Sequence, residues 1–369
     1  MTTNTTRLLT ASAVLCMLLS SCAVSRSAYT HISGFPEERT AEFREIGEIT
    51  DRDYSFTRLF TAWGPYFVIV TPADRNSASL HIYDRSDGKP VAKALPWGDG
   101  KGEIESNWTL HFDTASGTLS CSDFRTERTL TLQIDSLIMI GDAAIREKPY
   151  HEKIVPLDGS FRTRFGTIVF NDSETPGPDG KYAPRISLLD DSGKVRARID
   201  SVSFLNAENR WKPQFSNYTA ALSPNERKLA LHMYGGILDI YSVGRNSLRH
   251  VRTSGHASDP DSLYSSDMSE HHPDDIFFLN RIDATRRRIY GIFDGKTDRL
   301  DNINDIFAGG DGISDFSRIA VYDWKGRPLE LIHIGSNRIN AIHADEKAGV
   351  LYAIFWKDGK QYFGELKLD

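Results

Sequence analysis

The chain has 369 residues, of which 40% are apolar, 25% charged and 11% aromatic; such a composition can bury a core, which excludes a wholly disordered or collagen-like polypeptide. With 44 Lys and Arg against 50 Asp and Glu, the formal charge is -6. There is no cationic excess to neutralise phosphates, so nucleic acid is not an expected partner.

At the start of the chain, Arg7 precedes an uncharged run over residues 8–19 that ends in Ser20-Ser21-Cys22. A run of about 12 residues suits a secretory signal and is too short for the roughly 20 that a helical span needs. Leu19-Ser20-Ser21-Cys22 also has the form of a bacterial lipobox. Residues 1–21 are therefore expected to be a lipoprotein signal peptide, with Cys22 lipidated as the first residue of the mature chain and holding it to a membrane. Ala23 follows in place of an acidic residue of the kind linked to inner-membrane retention, which points to an outer-membrane, periplasm-facing location. Cys16 leaves with the signal and Cys22 carries lipid, so Cys121 is left without an intrachain disulfide partner. Its alternating surroundings, Leu119-Ser120-Cys121-Ser122, predict a small buried strand residue.

Residues 22–42 are polar, contain Gly34 and Pro36, and read as a lipidated N-terminus with a flexible tether. Beyond them, short alternating or β-branched blocks predict strands at residues 66–70, 80–83, 167–170, 229–233, 289–293, 319–322 and 350–356. No segment carries a three-turn helical stripe; short helical turns are expected only near residues 203–209 and 302–307. Hairpins are predicted around Asp113, Ser223, Asp283 and Asp345, and acidic turns ending in Gly around Asp84, Asp190 and Asp323, with a related turn at Ser242. These landmarks recur at intervals of about 55 residues, longer than the ~40–45 of a WD40 blade. About six such units form residues 43–369, read as one all-β domain: a six-bladed β-propeller whose blades supply one another's core. To hide its edges the ring should close by pairing residues 43–49 with the sheet made by 351–355 and 362–368. The longest departures from the repeat, 171–181 and 255–275, are expected as loops over one face.

The lipobox, the Ile-x-Val-Tyr-Asp-x-x-Gly turn running from Ile319 to Gly326, and the Gly98-Asp99-Gly100-Lys101-Gly102-Glu103 link resemble the TolB-like six-bladed β-propeller lipoproteins of Bacteroidetes. The resemblance implies a fold and a cell-envelope location. It implies no activity and carries no site residues.

Motifs for chemistry are sparse. Gly291 to Thr297 has three residues, where a P-loop needs four, before Gly-Lys-Thr, and Gly98–Glu103 lacks a strand-to-helix context; both read as turns. His256, Asp259, Asp261, His271, His272, Asp274 and Asp275 concentrate imidazole and carboxylate in one predicted loop, with His271, His272, Asp274 and Asp275 the candidate ligands for a divalent metal. No other cofactor is expected and no catalytic residue stands out. Arg286-Arg287-Arg288 reads as a solvated hairpin tip, and the tryptophans as packing between sheets. The expected function is a monomeric binding or scaffolding module for an envelope protein, peptide or glycan. The alternative is an envelope hydrolase or lyase, metal-assisted, with its site at the central channel.

Overall fold

The computed structural model describes residues 29–106, 109–123, 125–149, 160–170, 185–200, 219–233, 236–257, 259–261, 279–293, 317–335 and 338–368. These residues form six sheets, each built on four antiparallel strands, the blades of a β-propeller. Blade I is Leu59–Trp63, Tyr66–Val70, Leu80–Asp84 and Pro90–Ala94; blade II is Thr109–Asp113, Thr118–Asp123, Arg128–Gln133 and Arg146–Pro149; blade III is Ser160–Thr163, Gly166–Phe170, Ile186–Leu189 and Val195–Ile199. Blade IV is Thr219–Leu222, Lys228–Met233, Ile237–Gly244 and Ser247–Gly255, and blade V is Leu279–Ala284, Arg288–Phe293, Arg318–Asp323 and Pro328–His333. Blade VI takes Arg338–Asp345, Val350–Lys357 and Lys360–Lys367 from the C-terminal end and Arg44–Ile49 from the N-terminal end.

The six-bladed ring and its closure are as the sequence predicts. Gly47 of the closing strand pairs antiparallel with Phe363. Both faces of each middle strand are covered by neighbouring blades, so these strands read as near-continuous apolar runs. In Tyr66–Val70 everything after Tyr66 is buried. The seam between blades I and II packs Val68, Val70, Leu80 and Ile82 against Leu119, Cys121, Leu130 and Leu132. Cys121 is buried there as a free thiol, and burial pushes its pKa up. At the closing seam, the Phe363 ring stacks 4.8 Å from Phe67 and lies 5.0 Å from Tyr83.

Two features differ from the expected outline. Tyr29–His31 and Glu38–Thr40, inside the segment read as a tether, add parallel fifth strands to the outer edges of blades IV and V. With Arg44–Ile49 on blade VI, residues 29–49 form a belt around three consecutive blades. Ile32 and Phe35 hold it by packing on the blade IV–V core. Residues 22–28 lie outside the described residues, as do the helical turns expected near 203–209 and 302–307. The second feature is a short helix, Ile134–Ile140, between the last two strands of blade II. Ile134 and Leu137, three residues apart, are its buried positions, which seven residues are too few to reveal as a stripe.

Each blade meanders antiparallel from its inner to its outer strand, so its connections divide between two ends of the ring. First-to-second and third-to-fourth strand connections share one end, the turn face; second-to-third and blade-to-blade connections share the other, the connection face. The strand ends flanking 171–181 and 255–275 lie on the connection face, as expected for loops over one face.

Candidate functional site: the connection face

The turn face satisfies its own polar groups. Asp84 Oδ1 accepts the Ser86 amide at 2.7 Å and its hydroxyl at 2.6 Å, and Asp190 Oδ1 accepts both from Ser192 and the Lys194 amide. The Ser192 hydroxyl leads these bonds in drawing the Asp190 carboxyl down to about 2. Asp323 Oδ1 does the same for the Lys325 and Arg327 amides. Gly326, at φ +71°, completes that turn in a conformation a side chain would strain. Neighbouring turns clasp one another. Trp63 Nε1 donates to the Thr114 carbonyl (3.1 Å), the Arg164 amide to Glu226 Oε2 (2.6 Å), and the Arg286 amide to Glu346 Oε2 (3.0 Å). Thus Arg286 of the basic triplet belongs to an exposed hairpin tip, as predicted, and Trp63 and Trp324 serve as packing; Trp324 Nε1 donates to the Thr285 carbonyl at 2.9 Å.

The opposite end is built differently. Thr57, Ser79, Ser106, Thr219, Asn340, Trp356 and Gln361 lie at strand ends or connections of the connection face, and each buries a polar side-chain atom that meets no partner among the described residues. Leaving a buried donor or acceptor unsatisfied costs about 1–3 kcal/mol. Some groups here do have partners. The segment joining blade VI to blade I is pinned where the Tyr54 amide donates to Gln361 Oε1 (2.9 Å) and Asn340 Nδ2 donates to the Tyr54 carbonyl (3.2 Å). Tyr83 donates to Asp51 Oδ1 at 2.8 Å behind them.

Arginines occupy this end of three successive inner strands. Arg281 in blade V is the extra residue of a β-bulge, because Asn280 pairs with Ile292 and Ile282 with Gly291; its φ is +54°. Burial, and then the Arg58 cation, pull its guanidinium down to about 10. Arg338 opens blade VI with Nε buried and unmet among the described residues; burial lowers its pKa, against the pull of Asp53. Arg58 precedes blade I, and burial lowers it too. Phe56, two residues earlier, is 78% exposed.

A separate polar cluster is closed on itself inside blade IV. Asp239, fully buried, accepts His250 Nε2 at 2.6 Å and Thr253 Oγ1 at 2.8 Å on Oδ1, and the Tyr241 hydroxyl on Oδ2. Its role is internal. Asp239→Asn turns one carboxylate oxygen into a donor facing these donors and is expected to cost about 1–3 kcal/mol, read as a lower urea midpoint at unchanged m-value.

Of the expected metal ligands, His271, His272, Asp274 and Asp275 lie outside the described residues, as does Cys22. His256, grouped with them by sequence, is turned inward: it is buried against Phe35 and Phe293, and its Nε2 lies 3.0 Å from the Tyr322 hydroxyl. Asp259 and Asp261 are instead joined by a turn bond, the Asp261 amide donating to Asp259 Oδ1. Among the described residues no three His, Cys, Asp or Glu side chains gather as a metal site would require. The Gly98–Glu103 link is a turn, as predicted, held by Glu103 Oε2 accepting the Gly100 amide at 2.8 Å. Gly291 lies inside a blade V strand, and residues 294–297 are outside the described set. The arginines at these strand starts carry no motif in the sequence that would single them out.

No helix among the described residues is long and apolar enough to cross a membrane. No family model and no curated protein matches the sequence. Among solved structures, the chain is similar to a protein of Bacteroides fragilis NCTC 9343 described as exported, at 11% identity and a TM-score of 0.53, covering 93% of this chain and 99% of that one. It also aligns with the β-propeller domain of Cps50 (Swd1) from Myceliophteria thermophila, at 10% identity and a TM-score of 0.46 over 89% of this chain and 99% of that one. At such identity the first likeness speaks to the fold alone.

Proposed function

We propose that the chain is an exported lipoprotein, held at the outer membrane through Cys22 and facing the periplasm, whose propeller binds or scaffolds an envelope protein, peptide or glycan through its connection face. The observation that carries this reading is the asymmetry of the ring: turn-face polar groups satisfy one another, whereas the connection face buries polar atoms with no partner among the described residues. The lipobox, and the exported relative of the same fold, support the location. Propellers also host catalysis at the channel, but no observation here favours that reading over binding.

The test is photo-crosslinking in intact cells from Phe56, exposed on the connection face, and from Met139, exposed on the helix of the turn face. Adducts from position 56 and none from 139 are expected. Adducts from 139 alone, or from neither, would overturn the reading, and a Cys22→Ser chain that still sediments with outer membranes would remove the anchor.

A further inference from the structure

We propose that the turn-face rim of blades IV and V is a membrane-facing surface, which lies against the anionic phospholipid headgroups of the bilayer that holds Cys22 and turns the connection face away from it. This goes beyond the connection-face reading and rests only on its lipid anchor. The path of the chain sets the side. Tyr29–His31 runs parallel to the outer strand of blade IV, Ser247–Gly255, whose Ser247 end lies at the turn face; the chain therefore enters blade IV from that side. Tyr29 pairs with Thr253, six residues beyond Ser247, which puts it about 20 Å from the rim at the ordinary rise of a strand. Cys22 precedes Tyr29 by seven residues, which span at most about 25 Å. A lipid on Cys22 thus keeps the membrane within a distance of Tyr29 that takes in this rim, whereas blade I lies on the opposite side of the ring.

The charge of the rim complements such a surface. The turns of blades IV and V, residues 223–227, 245–246, 285–287 and 324–327, carry Arg227, Arg245, Arg286, Arg287, Lys325 and Arg327, all exposed, against the carboxylate of Glu226 alone. The corresponding turns of blades II and III carry Asp135, Asp142, Asp190 and Asp191 against Arg164 and Lys194, so the cationic sector stands out on a chain whose formal charge is -6. Arg286 pairs with Glu346 and Arg327 with Asp323, and Glu226 accepts the Arg164 amide. Arg227, Arg245, Arg287 and Lys325 form no ion pair among the described residues. At physiological ionic strength a charge is screened within about 8 Å, so a headgroup layer beside the rim feels these cations and not the acids of the other sectors. Each cation near an anionic surface strengthens attachment about fivefold. The acyl group keeps the chain on the bilayer, and the cations select the side that meets it.

The experiment is sedimentation of the mature chain, carrying Cys22→Ser so that no lipid contributes, with vesicles of phosphatidylcholine or of equal parts phosphatidylcholine and phosphatidylglycerol. Binding to the anionic vesicles alone is expected at low ionic strength, and its loss in high salt. The combined variant Arg245→Gln, Arg287→Gln and Lys325→Gln should weaken binding at least tenfold without lowering the melting temperature, since all three side chains are exposed. Arg125→Gln, exposed on the connection face, should bind as the unaltered chain does. Orientation is read on the acylated chain in the anionic vesicles: a dye on Arg287→Cys should be quenched by headgroup spin-labelled lipid more strongly than the same dye on Phe56→Cys. Equal binding to both vesicles, binding indifferent to the combined variant, stronger quenching at position 56, or photo-crosslinks from position 287 to a protein in intact cells would overturn the proposal. Fractionation in high salt, which strips rim contacts, separates this surface from the anchor. Release of the Cys22→Ser chain there, with no preference for anionic vesicles, would keep the anchor and sink the rim. Rim-dependent vesicle binding by a Cys22→Ser chain that still sediments with outer membranes in high salt would mean the reverse.

Discussion

Gly47→Val is expected to lower stability by at least about 3 kcal/mol, because it places a side chain where the ring closes on itself. Gly47 lies in the N-terminal strand that completes blade VI, facing the turn between the last two strands of blade I. A Cβ at position 47 would stand 2.1 Å from the Asp87 carbonyl oxygen and 3.1 Å from the Gly88 Cα, and both obstacles are backbone. No rotamer change relieves that contact, so either the strand leaves blade VI or blade I shifts. The same seam buries Phe67, Tyr83, Phe363 and Tyr352, each worth about 1.5–3 kcal/mol when fully removed from water, so even a small opening is costly. Gly34→Ala, where an added Cβ meets nothing within 4 Å, should change stability by no more than about 0.5 kcal/mol. Urea melts of the two variants read the difference directly. Equal midpoints would show that the seam does not depend on this close approach.

The closure was legible in the sequence because residues 43–49 are extended and apolar in the right places, and because an open ring would expose strand edges. Blade number and turn positions were legible for a related reason: Asp, Ser and Gly recur where the turns fold, and those turns are local. The belt was not. Tyr29–His31 and Glu38–Thr40 carry no alternation of their own; the exposed edges of blades IV and V, more than two hundred residues away, impose the extended form. The inward turn of His256 was hidden likewise, since Phe35 of the belt and Phe293 and Tyr322 of blade V make its surroundings.

Acid should loosen this propeller well above the pH at which its carboxylates protonate, beginning where buried histidines support the belt. Burial, followed by the neighbouring His256 cation, pulls His232 down to about 3; burial, followed by His31, pulls His256 down to about 4. His81, buried in blade I with Nε2 donating to the Ala78 carbonyl at 2.8 Å, is lowered to about 4 chiefly by burial. In the unfolded chain each has the ordinary value of 6.5. Below about pH 6.5 the unfolded state therefore binds more protons than the folded one, and stability falls as pH drops toward about 4, where His81 and His256 take up protons in the folded state and their contribution levels off. At 1.36 kcal/mol per pH unit, each histidine removes about 2 kcal/mol between neutral pH and pH 5. Lowered carboxyls such as Asp190 act in the same direction, but only as pH falls below about 4. His232→Gln should reduce the loss between pH 8 and pH 5 by about 2 kcal/mol in urea melts. Since Phe35 packs on His256, and the Ile32 amide donates to the Gly255 carbonyl at 2.7 Å, exchange of the Ile32 amide should quicken over the same interval before exchange in the middle strands does. A midpoint constant from pH 8 to pH 5, or a His232→Gln chain with an unaltered pH slope, would refute the assignment of acid sensitivity to these residues.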